Sequence, residues 1–129
     1  MTGRRRIAVD LDGVLAEYHG WTSKGFQKIG DPLPGAREFL QKLRGRDLEI
    51  VIYTTRCSKE VNPEYSVEWL KDKVIDWLEL NGMEWDEVYA GQGKPLASAY
   101  VDDRAVLCRP QKCSESFDCA IEKIDKMLA

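Results

Sequence analysis

The stretch Ile7-Ala-Val-Asp10-Leu-Asp12-Gly13-Val14 decides the fold. It opens as a short apolar run, the pattern of a strand buried in a parallel sheet. Two aspartates and a glycine then stop the run and turn the chain. Positions i and i+2 of a regular strand point to the same side, so Asp10 and Asp12 are aimed alike.

Upstream, Arg4-Arg5-Arg6 is the one charge run, and it reads as a solvated end that guards the strand. Downstream, residues 17–34 are irregular, with Gly20, Gly25 and Gly30 and the turn signal Asp31-Pro-Leu-Pro-Gly35. The spacing of Phe39, Leu40 and Leu43 predicts a helix over 36–44, stopped at Gly45. Leu48-Glu-Ile-Val-Ile-Tyr53 is β-branched and apolar and predicts a second buried strand, which ends in Thr54-Thr55-Arg56.

Asn62-Pro63 has the form of a helix start, with Asn as cap and Pro at the first helical position. Val67, Leu70, Val74, Trp77 and Leu78 then recur at helical spacing until Asn81-Gly82. Residues 87–90 and 97–101 read as short strands, and 105–108 as a further one. Residues 118–128 form an amphipathic pattern with Ile121, Ile124 and Leu128 on one side. Strands alternating with helices predict an α/β chain: a three-layer αβα, Rossmann-like fold with a mostly parallel central sheet. No repeat or linker splits the 129 residues, so one domain over 1–129 is expected, with 13–34 as a flap rather than a large cap domain.

The bulk composition excludes more than it selects. The chain is 43% hydrophobic and 32% charged, with a net charge of −3. That balance gives no general case for nucleic acid or membrane as partner. No apolar run approaches the ~18 residues of a bilayer span, and Asp10 and Asp12 interrupt the segment that a signal peptide would need. A cytoplasmic location is therefore expected. Cys57, Cys108, Cys113 and Cys119 lack the C-x-x-C spacing of a zinc site, with only His19 to assist, and read as reduced thiols.

In open parallel sheets, ligands bind outside the carboxyl ends of the strands. Asp10, Asp12, Thr54, Lys94, Asp102 and Asp103 all lie at or just after predicted strand ends, so one rim should gather them. Aspartate at a strand end is an ordinary turn residue, and it is the joint occurrence at four ends that carries weight. Carboxylates brought together repel one another and need a cation among them or must take up protons. Magnesium prefers oxygen ligands and binds one or two carboxylates together with a substrate phosphate. With Lys94 as a second positive charge, the set suits phosphoryl transfer to an aspartate, because the cations offset the repulsion between two anions. A carboxyl group two residues after the nucleophile could serve as acid and then as base.

Four segments also resemble the ordered motifs of the haloacid dehalogenase (HAD) superfamily. Asp10-Leu-Asp12-Gly13-Val14 is similar to its D-x-D-G-[TV] opening. Ile50-Val-Ile-Tyr-Thr54 is similar to its second motif, Lys94 in Gly93-Lys94-Pro95 to its third, and Ala99-Tyr-Val-Asp102-Asp103 to its fourth. The resemblance implies a magnesium-dependent phosphatase with Asp10 as nucleophile and metal ligand. Asp12 would be the general acid/base, with its backbone carbonyl on the metal. Thr54 would bind the phosphoryl group and Lys94 would stabilise it. Asp102 would be a direct metal ligand, and Asp103 a ligand through water or a neighbour of the metal shell. An aspartate at position 12 fits the phosphatase branch rather than the dehalogenases.

Thr55 and Arg56 join Thr54 and Lys94 as candidate substrate-binding residues, with Arg56 facing the substrate or else pairing with Asp103 or solvent. Tyr18, His19, Trp21 and Lys24 lie in the flap. Trp21 is expected to pack the flap down, and His19 to be an exposed bystander. The expected partner is a small phosphorylated molecule; a capless site is open, so polymeric substrates are admitted too, and a second copy of the chain is a candidate cover. Three alternatives stand beside this reading. A receiver domain has its acidic pair first and its phosphoacceptor later, the reverse of the order here. A silent binding module commonly loses one of the five residues Asp10, Asp12, Thr54, Lys94 and Asp102. A phosphotransferase using the same aspartyl-phosphate would need a cap to exclude water.

Overall fold

The computed structural model describes residues 4–20, 26–58, 60–91 and 93–129. Four strands form one all-parallel sheet: β1 (Arg6–Asp10), β2 (Glu49–Tyr53), β3 (Glu87–Tyr89) and β4 (Ala99–Val101), in the spatial order β3-β2-β1-β4. Three helices flank it: α1 (Ala36–Gly45), α2 (Val67–Leu80) and α3 (Ser116–Leu128). This is the expected α/β, Rossmann-like architecture, and no large cap domain stands among the described residues.

The apolar runs explain the centre of the sheet. Ala8, Val9, Ile50, Val51 and Ile52 are wholly buried, so β1 and β2 are covered on both faces, as continuous apolar strands require. Val9, Ile50, Ile52 and Val88 share one core with Leu40 of α1 and with Leu70, Val74, Trp77 and Leu78 of α2. The α2 set recurs at i, i+4, i+7 and i+8, the stripe its sequence predicts. Register is pinned at the far end of the sheet by Asp86. Its carboxylate accepts the Ile50 N–H at 2.7 Å and a fork from Arg44 Nη1 at 2.8 and 2.9 Å. Arg6 pairs with Glu49 and Glu87, and Arg4 with Asp86, so two of the three N-terminal arginines stitch strand starts together.

Two local expectations are corrected. The second helix begins at Val67 with Ser66 as its cap, whose Oγ accepts the Trp69 N–H at 3.1 Å. Asn62 is instead buried, and its side-chain amide donates to the Arg56 carbonyl at 3.0 Å, so Asn62-Pro63 belongs to a turn. Residues 105–108 are irregular and add no fifth strand. Helix α3 buries none of its residues. Phe117, Ile121, Ile124, Met127 and Leu128 on it are all exposed.

The chain steps outward from β1 to β2 to β3 and then returns to the other side of β1 to make β4. The order of the sheet reverses between β1 and β4, and that reversal opens a crevice at the carboxyl ends of these two strands. Asp10 ends β1, and Asp102-Asp103 follows β4 directly.

Candidate active site

The turn after β1 is built on the carbonyl of Leu11, which accepts N–H groups from Val14, Leu15 and Ala16. Gly13 sits at φ +88, a conformation that side chains disfavour. A Cβ there would lie 2.4 Å from Oδ2 of Asp103, so the glycine is what lets Asp103 come down onto the turn. The segment after the turn folds back on itself. Ala16 bridges Pro32, Glu17 N–H donates to the Asp31 carbonyl, and Leu33 N–H donates to that of Leu15. A Cβ on Gly30 would sit 2.2 Å from the Glu17 carbonyl oxygen, and the Gly30 carbonyl accepts the Trp77 indole N–H at 2.9 Å. The flap is thereby held against α2.

Carboxylate oxygens of Asp10, Asp102 and Asp103 lie within 4.8 Å of one another. Asp10 is 9% exposed, and its Oδ1 accepts the Leu11 N–H at 2.9 Å. Burial, and then the charges of Asp102, Asp103 and Asp12, push its carboxyl up to about 7, against the Leu11 hydrogen bond. Asp102 goes the other way. Burial would raise it, but it accepts the Arg104 N–H at 2.9 Å and the Tyr53 hydroxyl at 2.8 Å, which hold it below the usual carboxylate range. Three oxygen donors with this much uncompensated charge are a hard-cation donor set, and the trio could hold a metal ion.

Thr54 is buried at the end of β2, and its Oγ1 accepts the Arg56 N–H at 3.2 Å as cap of the 3-10 turn Thr55–Cys57. No acceptor for the hydroxyl proton is found among the described residues. Thr54 and Thr55 line an open cavity of about 710 Å³ with Tyr53, Ser58, Glu60 and Tyr89.

Arg56 turns neither to Asp103 nor to solvent. It is 1% exposed and grips Asp12, with Nε to Oδ2 at 2.7 Å and Nη2 to Oδ1 at 2.9 Å. Asp12 thus shares the turn with Asp10, but its carboxylate belongs to an ion pair rather than to the acidic trio. Lys94 is exposed on its loop. Its ammonium lies over the Tyr100 ring at 4.5 Å, and it makes no ion pair with a described acidic residue.

His19 is exposed and meets Glu17 at 2.8 Å, while Trp21 and Lys24 lie outside the described residues. Cys57 is buried, which pushes its thiol up to about 11, and Cys108, Cys113 and Cys119 are exposed free cysteines. Among the described residues no helix is long and apolar enough to cross a membrane.

Tyr53, whose hydroxyl holds Asp102, is passed over by the sequence reading, because it closes an apolar strand and reads as core. Register was the available signal: Tyr53 pairs with Asp10 across β1 and β2, which puts its side chain at the rim.

No family model matches the chain, and no curated protein does. Solved structures do. A conserved protein from Bacteroides thetaiotaomicron is 25% identical at a TM-score of 0.57, over 90% of this chain and 91% of that one. A crystal structure from Vibrio cholerae is 24% identical at a TM-score of 0.52, over 92% and 98%. A D,D-heptose 1,7-bisphosphate phosphatase from B. bronchiseptica, complexed with magnesium and phosphate, aligns at 19% identity and a TM-score of 0.46, over 88% and 64%. The first two share the course of the chain over nearly its whole length, and with it the fold.

Proposed function

We propose that this chain is a magnesium-dependent phosphohydrolase of the HAD superfamily, a single domain over 1–129 that cleaves phosphomonoesters through an aspartyl-phosphate on Asp10. The observation that carries the reading is the acidic trio of Asp10, Asp102 and Asp103 at the point where the sheet order reverses. The donor chemistry fits magnesium, which these three carboxylates and the Asp12 carbonyl would hold. Bound there, the metal supplies positive charge that keeps Asp10 ionised and offsets the charge of an incoming phosphate.

The chain's own residues do the rest. Asp10 attacks phosphorus as the bond to the leaving oxygen breaks, and Asp12 passes that oxygen a proton taken from solvent. Water then attacks the aspartyl-phosphate, Asp12 takes the proton, and inorganic phosphate leaves. The Thr54 hydroxyl binds a phosphoryl oxygen. Lys94 is assigned the remaining phosphate charge, and its ammonium leaves the Tyr100 ring to deliver it. The 710 Å³ cavity that Thr54 and Thr55 line has the size for the body of a small phosphorylated molecule.

The test is release of phosphate from a panel of phosphomonoesters, with magnesium or with chelator, by the wild-type and Asp10→Asn proteins. Release that needs both magnesium and Asp10 upholds the reading. Release that survives Asp10→Asn removes Asp10 as nucleophile.

A further inference from the structure

We infer that Arg56 is a positioning residue, which fixes the plane of the Asp12 carboxylate and ties it to the flap at Phe26 and Gln27; this rests on the role proposed above for Asp12. Three observations carry it. The guanidinium is 1% exposed, so its donors must all be met inside the protein. Two are met by the two oxygens of Asp12, at 2.7 and 2.9 Å, an arrangement that sets the plane of the carboxylate and not only its distance. A third N–H, on Nη1, donates to the backbone carbonyl of Gln27, and the guanidinium lies over the Phe26 ring at 5.2 Å.

The backbone of Arg56 is held as firmly as its side chain. Its N–H donates to Thr54 Oγ1 at 3.2 Å, and its carbonyl accepts from the buried Asn62 at 3.0 Å. One residue therefore links the proposed phosphoryl-binding threonine, the proposed acid/base and the flap. Each carboxylate oxygen has a second lone-pair direction, which the clamp does not occupy. Lysine cannot replace this arrangement, because it offers a point charge and no plane.

A positioned acid matters in proportion to how badly the leaving group needs a proton. Alkyl phosphates leave as strongly basic alkoxides, whereas 4-nitrophenyl phosphate leaves as a weakly basic phenolate. The experiment compares kcat/KM, which reports steps through departure of the leaving group, for wild type and Arg56→Lys over a series of aryl and alkyl phosphates with magnesium. Arg56→Lys is expected to lose about 10- to 100-fold on alkyl phosphates, a fraction of what general acid catalysis supplies. On 4-nitrophenyl phosphate it is expected to lose less than about threefold, so the dependence on leaving-group basicity steepens.

An equal loss on every ester would overturn the inference and leave Arg56 as a structural ion pair, with the phosphohydrolase reading intact. A wild-type protein without turnover on any ester would overturn both. Should Arg56→Lys fail to fold, Phe26→Leu removes the ring beneath the guanidinium while keeping the ion pair. The slope is expected to steepen there too, and an unchanged slope would overturn the inference.

Discussion

Asp10 is set to weaken the metal-free fold as pH rises, and the size of the effect follows from its surroundings. Its carboxyl titrates near 3.8 in an unfolded chain and near 7 in the folded one. Between those values the folded protein binds the extra proton, so stability is full below about 3.8 and falls as pH climbs toward 7. A shift of about three units, at about 1.4 kcal/mol each, sets a ceiling of about 4 kcal/mol. The perturbation is Asp10→Asn, which keeps the shape and removes the titration. The assay is urea unfolding in chelator from pH 4.5 to 8. The mutant is expected to gain on wild type by about 2–4 kcal/mol across that range. Magnesium should narrow the gap near pH 7.5, because the wild-type trio binds it more tightly than a site that has lost one carboxylate, and binding to the folded state stabilises it. A wild-type-to-mutant difference that stays flat with pH in chelator would refute the claim that burial and the neighbouring carboxylates hold this proton.

Gly13→Ala would drive a methyl group to 2.4 Å from Asp103 Oδ2 at a φ of +88. Expected are a stability loss of about 1–3 kcal/mol and weaker magnesium binding as Asp103 is pushed off the turn, read by thermal unfolding and by magnesium titration of activity. Tyr53→Phe removes the hydroxyl that holds Asp102 at 2.8 Å. The fold should persist while the magnesium requirement rises about tenfold, the size of effect seen for outer partners of metal ligands. An unchanged magnesium requirement would mean that Asp102 needs no such support.

The parts of this molecule that the sequence displays are those set by local pattern. The runs Ile7–Val9 and Ile50–Tyr53 are apolar without a break, and they lie in the two strands buried on both faces. Leu70, Val74, Trp77 and Leu78 lie where their spacing puts them. The start of α2 was obscured because Asn62-Pro63 imitates a cap, while the Asn62 amide is drawn away to the Arg56 carbonyl and Ser66 does the capping. Residues 105–108 are β-prone but find no strand to pair with. Asp10, Asp102 and Asp103 could be gathered on paper because strand ends converge on one rim. The partners that orient them could not. Tyr53 meets Asp102 only through sheet register, and Arg56 meets Asp12 only because the flap returns to bury it. Lys94 illustrates the same limit: its place in the sequence suggests the phosphate, and its ammonium rests on Tyr100.

The central claim is that Asp10, in a magnesium-bearing acidic trio, attacks phosphate esters. The direct measurement is phosphate release from a phosphomonoester panel by wild type and Asp10→Asn, each with magnesium and with chelator. The account predicts release by wild type with magnesium alone, and a loss of at least about a thousandfold in kcat/KM, or about 4 kcal/mol, in the mutant. Equal release by both proteins, or release undiminished in excess chelator, would contradict it.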